Sequence, residues 1–321
     1  MNFEGVSMKD LYGRKIDYMR ISLTDQCPFA CYYCKTEEVK PNLNKNLLSF
    51  EELYCIVEVA VSLDIVKFKI TGGEPTLRKG YIDFIEKIKQ IPKLEQVTLT
   101  TNGAYFTHQD LIRLKQIGID GINFSIDSLD PVEFFGITKQ NCLKTVLKNL
   151  EDAHQLGIKV KINSVVDETF TYKRGSQLIH YALNHSIPLR FIEYMPLNQK
   201  QNNPMFHLFQ SELKKHYQIH STSKTYGNGP ARYFFFDDFL TPIGFIEALS
   251  HQFCDSCNRL RLSCEGKIQM CLFYPDQIDL KSVLNDSEKI QLKMKEAIHL
   301  KPKQHHFNEE ISKTKMNQIG G

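Results

Sequence analysis

Short apolar runs alternate with amphipathic segments along the first two thirds of the chain. The apolar runs occupy residues 18–23, 66–70, 95–100, 121–126, 158–166 and 189–194. Helix-like spacing of apolar residues recurs between them, at 49–63, 81–90, 109–116, 143–156 and 176–185. Strands that alternate with helices predict a parallel sheet with helices outside it. Six strands are fewer than the eight of a TIM barrel, so we predict an α/β fold with a partial, open (β/α)6 barrel.

The strand–helix repeat ends near residue 197, and the composition changes after that point. Residues 199–204 and 221–230 are polar and contain turn-forming residues, an apolar run follows at 231–236, and a charged, helix-like segment begins at 282. We therefore expect two parts: the partial barrel over residues 1–230 and a C-terminal region over residues 231–321.

Composition and charge narrow the class of protein. The chain has 321 residues, of which 42% are hydrophobic and 24% charged, as in ordinary globular proteins. A net charge of +3 argues against a general nucleic-acid-binding protein. The sequence has no apolar run of about 18 residues and no apolar leader at its start, which argues against a membrane span and a secretory signal. We expect a cytoplasmic protein with neither nucleic acid nor membrane as a partner.

Most of the nine cysteines fall into two groups. Without an export signal, an odd number of cysteines favours metal binding or catalysis over disulfides. The N-terminal group comprises Cys27, Cys31 and Cys34; the C-terminal group comprises Cys254, Cys257, Cys264 and Cys271. Cys55 and Cys142 stand alone, and we interpret them as small, buried apolar residues.

The N-terminal group has a compact spacing of three residues and then two, directly after the first predicted strand. Three thiolates can hold three irons of a 4Fe–4S cluster and leave the fourth iron open. A zinc site is the main alternative, but zinc ligands usually come as paired arms rather than as one compact triplet. The spacing therefore favours an iron–sulfur cluster.

Other polar motifs also follow strands. They are Gly72-Gly73-Glu74-Pro75, Thr100-Thr101-Asn102-Gly103, Ser125-Ile126-Asp127-Ser128 and Met195-Pro196. Ligands of parallel α/β sheets bind at the carboxyl ends of the strands. We therefore expect these motifs to share one site with the N-terminal cysteines.

The triplet, with Tyr33 before its last cysteine, resembles the hallmark of the radical S-adenosylmethionine (SAM) enzymes. Gly72-Gly73-Glu74-Pro75 is similar to that family's backbone cradle for the SAM amino group, where glycine would let the main chain approach a ligand. The resemblance implies that SAM chelates the open iron and is cleaved to a 5′-deoxyadenosyl radical, which takes a hydrogen atom from the substrate.

The C-terminal motifs narrow the resemblance to one family. Residues 254–261 and 266–273 and the final Gly320-Gly321 resemble the GTP 3′,8-cyclases of molybdenum cofactor biosynthesis (the MoaA family), and the similarity runs from about Gly13 to the last residue. It implies a radical SAM lyase with two 4Fe–4S clusters that converts GTP to (8S)-3′,8-cyclo-7,8-dihydroguanosine 5′-triphosphate. It also implies an electron donor (a reductase, flavodoxin or ferredoxin), a downstream cyclic pyranopterin monophosphate synthase and a homodimer.

The family's site residues carry over to matching positions of this chain. By resemblance, Cys27, Cys31 and Cys34 hold the first cluster, and Cys254, Cys257 and Cys271 hold a second cluster that receives the guanine base. The implied SAM contacts are Tyr33, Gly73, Ser125 and Met195. The implied GTP contacts are Arg20, Lys69, Thr100, Lys161, Arg259, Leu260 and Arg261. Gly320 and Gly321 would enter the active site and be needed for catalysis.

Local chemistry agrees with the triphosphate assignment. Arg20 and Lys161 lie on predicted strands, where an unpaired charge is costly. Arg259 and Arg261 alternate on an extended segment, so both can face one side. Such cations form a credible clamp for a triphosphate of about −4 charge.

The sequence departs from the family at several positions. Lys69 replaces the usual Arg, and Pro28-Phe29-Ala30 replaces the usual Asn-Phe-Arg. Cys264 is an additional cysteine that could act as a fourth ligand of the second cluster and block the substrate. In a structural zinc or iron site, His251 could be that ligand. His305-His306 is expected at the surface.

Two alternative functions remain open from the sequence. A radical SAM enzyme that modifies a peptide would also have an auxiliary cluster, but it predicts more C-terminal cysteines. A zinc-stabilised module that binds nucleic acid is not favoured by the small net charge and the absence of Trp.

Overall fold

Six parallel strands form the centre of the fold. The computed structural model describes residues 8–34, 47–195, 204–274 and 276–305. The strands pair with one another in chain order and are β1 (Tyr18–Ser22), β2 (Lys67–Thr71), β3 (Gln96–Thr101), β4 (Gly121–Ser125), β5 (Val160–Val166) and β6 (Leu189–Glu193). All five pairings are parallel. The predicted strand–helix repeat and open α/β barrel are confirmed.

Six more strands, five of them from the C-terminal region, extend this sheet at both edges. They are β7 (Ile219–Thr222), β8 (Arg232–Phe236), β9 (Ile243–Ile246), β10 (Arg259–Leu262), β11 (Lys267–Gln269) and β12 (Gln277–Asp279). The order is β12-β11-β10-β1-β2-β3-β4-β5-β6-β9-β8-β7. β10 is parallel to β1 and β9 is parallel to β6. One twelve-stranded sheet therefore contains strands from before and after residue 197, which the strand–helix repeat alone did not indicate.

Eight helices accompany the sheet in the described residues. They are α1 (Phe50–Ser62), α2 (Tyr81–Lys89), α3 (His108–Gln116), α4 (Pro131–Thr138), α5 (Leu143–Gln155), α6 (Tyr172–Asn184), α7 (Met205–His216) and α8 (Ser287–His299). None is long and apolar enough to cross a bilayer.

Helix α4 was not predicted, and it supports the N-terminal cysteines. It begins because the Asp130 carboxylate accepts hydrogen bonds from the amides of Val132 and Glu133, with Pro131 in its first turn. The ring of Phe134 meets Phe29 edge-on, with 5.9 Å between the ring centroids. The helix thus packs directly against the loop that carries the cysteines.

The strands divide their side chains between two environments, as alternation along a strand requires. Ile70, Leu99, Phe124 and Ile162 belong to the hydrophobic core. The intervening polar residues, such as Lys69, Thr100, Asn123 and Lys161, line a cavity inside the curved sheet. Cations on strands are therefore placed in the barrel interior rather than in solvent.

Cys55 and Cys142 are not the buried residues we expected. Cys55 is exposed and Cys142 is partly exposed. Helix α1 buries the face that carries Leu53, Ile56 and Val57, and Cys55 lies on its solvent side. The periodicity of α1, rather than the residue type, decides this.

Candidate functional site

One cavity of about 990 Å³ lies inside the curved sheet; we call it the central cavity. Six of the cysteines line it: Cys27, Cys31, Cys34, Cys254, Cys257 and Cys271. These two groups are more than 200 residues apart in the chain. The fold therefore brings them to one enclosed space, within reach of the strand-end motifs.

The loop of Cys27, Cys31 and Cys34 is held by helix α4. The Ala30 main-chain amide donates to the Thr138 carbonyl at 2.9 Å, and the side-chain Nε2 of Gln140, two residues after α4, donates to the Pro28 carbonyl at 3.0 Å. Burial raises the pKa of Cys31 well above its usual value, and the charges of Asp127 and the two other thiols add to this effect. Three thiolates at this position therefore require a compensating cation. The two departures at positions 28 and 30 fall where the loop contacts α4.

The glycine motif packs against the segment that leads into these cysteines. A Cβ atom on Gly73 would lie 2.2 Å from the Gln26 carbonyl oxygen, and one on Gly72 would lie 2.5 Å from the Thr24 carbonyl oxygen. The Gly73 amide donates to Thr24 and the Glu74 amide to Gln26. Glycine is therefore required here by the close approach of two chain segments, whether or not a ligand also approaches this part of the main chain.

Glu74 links three of the strand-end motifs. Its buried carboxylate accepts hydrogen bonds from the Thr101 hydroxyl and the Asn102 amide, both at 2.7 Å. Burial raises the pKa of Glu74, and these hydrogen bonds oppose the shift. The Asn102 side chain in turn lies 3.9 Å from the Cys27 sulfur. The glycine motif, the end of β3 and the cysteine loop thus form one connected unit.

The residues implied as SAM contacts all line the central cavity. They are Tyr33, Gly73, Ser125 and Met195. The Tyr33 hydroxyl donates to Asp127 at 2.5 Å, and Asp127 also accepts from the Val165 amide at 2.7 Å. Burial raises the pKa of Asp127 to about 6. Asp127 had no role predicted from the sequence, although it lies in the motif at the end of β4.

Five cations that we associated with GTP converge in the same cavity. They are Arg20, Lys69, Lys161, Arg259 and Arg261. The strand register explains part of this arrangement, because Arg20 of β1 lies beside Lys69 of β2 and beside Arg261 of β10. The structure therefore unites residues from four strands in one cationic cluster.

Burial and mutual repulsion act on these cations. Burial lowers the pKa of Lys69 well below its usual value, and Arg190, Arg20 and Lys161 lower it further. Burial, with the charges of Arg190 and Lys159, lowers the pKa of Lys161 to about 8. Burial, with the charges of Arg20 and Arg259, lowers that of Arg261 to about 9. A multiply charged anion would relieve this repulsion.

The two remaining implied GTP contacts are Thr100 and Leu260, and they differ in the groups that they can present to a ligand. Thr100 lines the cavity, with its hydroxyl 3.3 Å from the Asn123 side-chain nitrogen. The Leu260 side chain is fully buried in the hydrophobic core. Any contact from Leu260 to a ligand therefore has to come from its main chain.

Sequence analysis gave no role to two further polar residues of this cluster. Arg190 of β6 lines the cavity and donates a hydrogen bond to Asn123. Asn163 of β5 also lines it, and its side-chain oxygen is buried without a hydrogen-bond partner. For Arg190 the signal in the sequence was a charged residue at a strand position between two apolar neighbours, Leu189 and Phe191.

The C-terminal cysteines have distinct electrostatic surroundings. Burial raises the pKa of Cys254. Burial would also raise that of Cys257, but the charges of Arg259 and Lys301 lower it to about 6. Cys257 therefore ionises readily, as a metal ligand must.

Cys264, His251 and His305 were the other candidate residues near the C-terminal cysteines, and the structure shows where each of the three lies. Cys264 is buried beside Leu48 rather than in the cavity wall, and burial raises its pKa to about 12, with Asp25 and Glu265 adding to the shift. His251 is exposed. His305 lines the cavity, which corrects its expected surface position; His306 lies outside the described residues.

The donors fit two multi-iron clusters. Each group offers three thiols, the ligands that hold iron–sulfur clusters. In the described ranges, no three Cys, His, Asp or Glu side chains converge on a position for a single metal ion. A cluster of four irons is larger than one ion, so its ligands stand farther apart. Gly320 and Gly321 lie outside the described residues.

Two family models match the chain. The Radical SAM superfamily model matches residues 21–182, and the Molybdenum Cofactor Synthesis C model matches residues 187–307. The first covers the loop with the N-terminal cysteines and the strands β2 to β5, and the second covers the C-terminal cysteines.

Relatives are similar over nearly the whole chain. A GTP 3′,8-cyclase of Clostridium perfringens (strain SM101 / Type A) is 36% identical over 98% of this chain and 100% of its own length. A GTP 3′,8-cyclase of Syntrophomonas wolfei is 37% identical, with the same coverage. A GTP 3′,8-cyclase of Ectopseudomonas mendocina is 33% identical over 97% of this chain and 98% of its own length.

Solved structures share the fold. Streptococcus suis SuiB bound to S-adenosylmethionine has a TM-score of 0.60 at 14% identity, covering 84% of this chain and 64% of that chain. Native anSMEcpe with bound AdoMet has a TM-score of 0.57 at 16% identity, covering 90% and 82%. At these identities, the likeness concerns the fold alone.

The close packing at Gly73 predicts a stability effect. Gly73→Ala should lower the free energy of unfolding by about 1–3 kcal/mol or more, because its Cβ has to displace backbone atoms. Gly136→Ala is the control, since a Cβ on that exposed helical residue meets nothing within 4 Å and should stabilise by about 0.5–1 kcal/mol. Urea denaturation of the metal-free protein measures both. Equal stability of Gly73→Ala and wild type would contradict this account.

Proposed function

We propose that this chain, which belongs to the GTP 3′,8-cyclase family of radical SAM enzymes, converts GTP to (8S)-3′,8-cyclo-7,8-dihydroguanosine 5′-triphosphate, a step of molybdenum cofactor biosynthesis. The supporting observation is that one cavity is lined by two cysteine triads and by a cluster of buried cations. A peptide substrate would leave that cationic cluster without a role.

The two cysteine triads divide the work between the two ends of the substrate site. Cys27, Cys31 and Cys34 would hold one 4Fe–4S cluster, and Cys254, Cys257 and Cys271 would hold the other, which would receive the guanine base. When bound, the first cluster and SAM would supply a 5′-deoxyadenosyl radical. In the net reaction the C3′ hydrogen would pass to 5′-deoxyadenosine, C3′ would bond to C8 of guanine, and one further electron from the external donor and one proton would complete the dihydropurine. The protein orients the reactants and excludes water around them.

Two of the SAM contacts adjoin the first triad, since Tyr33 directly precedes Cys34 and Gly73 packs against Gln26, the residue before Cys27. Tyr33, Gly73, Ser125 and Met195 hold SAM, and the Gly73 amide is bonded to the Thr24 carbonyl, so any hydrogen bond from Gly73 to SAM would use its carbonyl. Asp127 fixes the Tyr33 ring through their hydrogen bond. The connected unit around Glu74 keeps this half of the site rigid.

The cationic cluster binds the triphosphate. Arg20, Lys69, Lys161, Arg259 and Arg261 surround it, Thr100 adds a hydroxyl and Leu260 adds its main chain. Arg190 joins this set, because its charge acts on both Lys69 and Lys161. Lys69 keeps the charge of the arginine usual in the family but has no bidentate fork.

The final glycines act near the same cavity. His305, the last described residue before them, lines the cavity wall. Fifteen residues of extended chain reach up to about 50 Å, so Gly320 and Gly321 can reach any part of the site. Small residues fit a site already filled by GTP and SAM.

The proposal also assigns a role to each of the two parts of the chain, two protein partners, an oligomeric state and a location. Residues 1–230 form the SAM-cleaving part, and residues 231–321 form the part with the second cluster and substrate contacts. An external reductase, flavodoxin or ferredoxin supplies electrons, and a cyclic pyranopterin monophosphate synthase takes the product. We assign a homodimer and a cytoplasmic location, where thiolates remain reduced.

Cysteine variants of the two triads test the division of labour. After anaerobic reconstitution, wild type should contain about eight irons and eight sulfides per chain. Cys31→Ala should form no 5′-deoxyadenosine, because it lacks the electron path to SAM. Cys271→Ser should lose GTP cyclisation but keep some uncoupled SAM cleavage. Exposed Cys55→Ser is the matched control and should behave as wild type.

Three results would contradict the proposal. Retained 5′-deoxyadenosine formation in Cys31→Ala would remove the first triad from SAM cleavage. Normal cyclisation by Cys271→Ser would give the second triad another role. Zinc in place of iron in reconstituted wild type would favour the zinc-stabilised module instead.

The lowered pKa of Lys161 predicts a pH-dependent affinity for GTP. A triphosphate favours charged Lys161, so affinity should fall as pH rises through about 8, by up to about tenfold per pH unit for each lysine that loses its proton. Equilibrium binding of GTP between pH 7 and 9 measures this. Lys161→Arg should show a shallower decline and exposed Lys159→Arg the decline of wild type; identical slopes for Lys161→Arg and wild type would exclude this role.

A further inference from the structure

Lys301 lies in the wall behind the second cysteine triad. Its side chain is only 3% exposed, and its ammonium donates hydrogen bonds to the carbonyls of Arg259 at 2.8 Å and Met270 at 2.7 Å. Arg259 follows Cys257 by two residues, and Met270 directly precedes Cys271. One buried cation therefore ties together the two chain segments that supply these cysteines.

Arg14 makes a second connection from the opposite end of the chain. One of its terminal nitrogens donates to the carbonyls of Cys254 at 2.8 Å and Lys303 at 2.9 Å, and the other donates to Pro302 at 2.7 Å. Asp10 pairs with the Arg14 side chain at 2.5 Å. Arg14 thus fastens residues 302–303 to the first cysteine of the triad.

His305 also contacts the second cysteine triad. Its main-chain N–H donates to the Cys254 thiol, an interaction that favours the thiolate. Its ring lies 3.2 Å from the Ala248 carbonyl oxygen and packs on Phe273, with 5.0 Å between the ring centroids. Residues 301–305 therefore contact the triad through side chains and main chain together.

The charges around Lys301 differ from those around Arg14, because Lys301 has favourable partners only when the cysteines are thiolates. Arg14 has Asp10 as its counter-ion. The favourable charges that act on Lys301 are those of Cys257 and Cys271, whereas Arg14 and Arg259 repel it. A buried ammonium without a counter-ion is costly. The triad and Lys301 therefore stabilise each other.

We propose that Arg14 and Lys301 are positioning residues for the second cluster: they fix the segments of the triad before assembly, and the Lys301 charge stabilises the reduced cluster. No nucleotide or SAM contact is involved. The inference rests on the proposed function, since it requires that this triad holds an iron–sulfur cluster. A positive charge beside the cluster favours the state with the extra electron, so it raises the reduction potential.

Substitutions at Lys301 separate its charge from its hydrogen bonds. Lys301→Met removes both, Lys301→Gln keeps N–H donors without the charge, and Lys301→Arg keeps both. Lys303→Met is the matched control, because the Lys303 side chain is exposed and only its carbonyl takes part. Iron per chain, the rate of iron release to a chelator and the potential of the second cluster are measured on reconstituted full-length protein.

We expect Lys301→Met to release second-cluster iron at least tenfold faster than wild type. Lys301→Gln should hold its iron but show a more negative potential for the second cluster, and Lys301→Arg should restore the wild-type potential. Formation of 5′-deoxyadenosine should persist in all variants, since the first triad is untouched. Lys303→Met should match wild type in every measurement.

Two results would overturn the inference. If Lys301→Met released iron at the wild-type rate, the two segments that carry the cysteines would hold together without the Lys301 hydrogen bonds. A wild-type potential in Lys301→Gln would show that the charge does not act on the cluster. Failure of the proposed function is distinct, because wild type itself would then contain only about four irons.

Discussion

The parallel pairing of β10 with β1 is the constraint on which the site depends. The pairing joins residues more than 230 positions apart and puts Arg261 beside Arg20, and Arg259 beside Tyr18. Cys257 lies two residues before Arg259, so the same register fixes where the C-terminal triad enters the central cavity. A shift of this register by one residue would turn Arg259 and Arg261 out of the cavity.

Electrostatics then determine what the cavity can accept. Eight lysine and arginine residues line its wall, and burial together with the charges of several of them lowers the pKa values of Lys69, Lys161 and Arg261. This arrangement opposes folding in the absence of an anion. It is the same feature that makes a triphosphate a favourable ligand, because binding replaces repulsion by attraction.

The two cysteine triads are supported by different means. The first is held by hydrogen bonds and close packing: Glu74 joins the glycine motif to the end of β3, and α4 holds the loop. The second is surrounded by buried cations, with Arg14 and Lys301 bonded to main-chain carbonyls around it. Rigid packing suits a site that must hold SAM in one orientation. Fixed charge suits a cluster whose ligand set is strongly anionic.

The sequence by itself determined the repeated strands and helices and the open α/β barrel, because these depend on local periodicity. Short spacings also marked the two groups of cysteines, and the family resemblance singled out Cys254, Cys257 and Cys271 from the four of the C-terminal group. The structure supplied what depends on distant pairing. It showed that C-terminal strands join the sheet at both edges, that glycine is needed at position 73 for contact between chain segments, that Cys264 lies outside the cavity wall and that His305 lies in it. Arg190, Asn163 and Lys301 look like ordinary polar residues in the sequence. Only the tertiary structure gives them a role, because burial and the neighbours of a charge are set by segments far away in the chain.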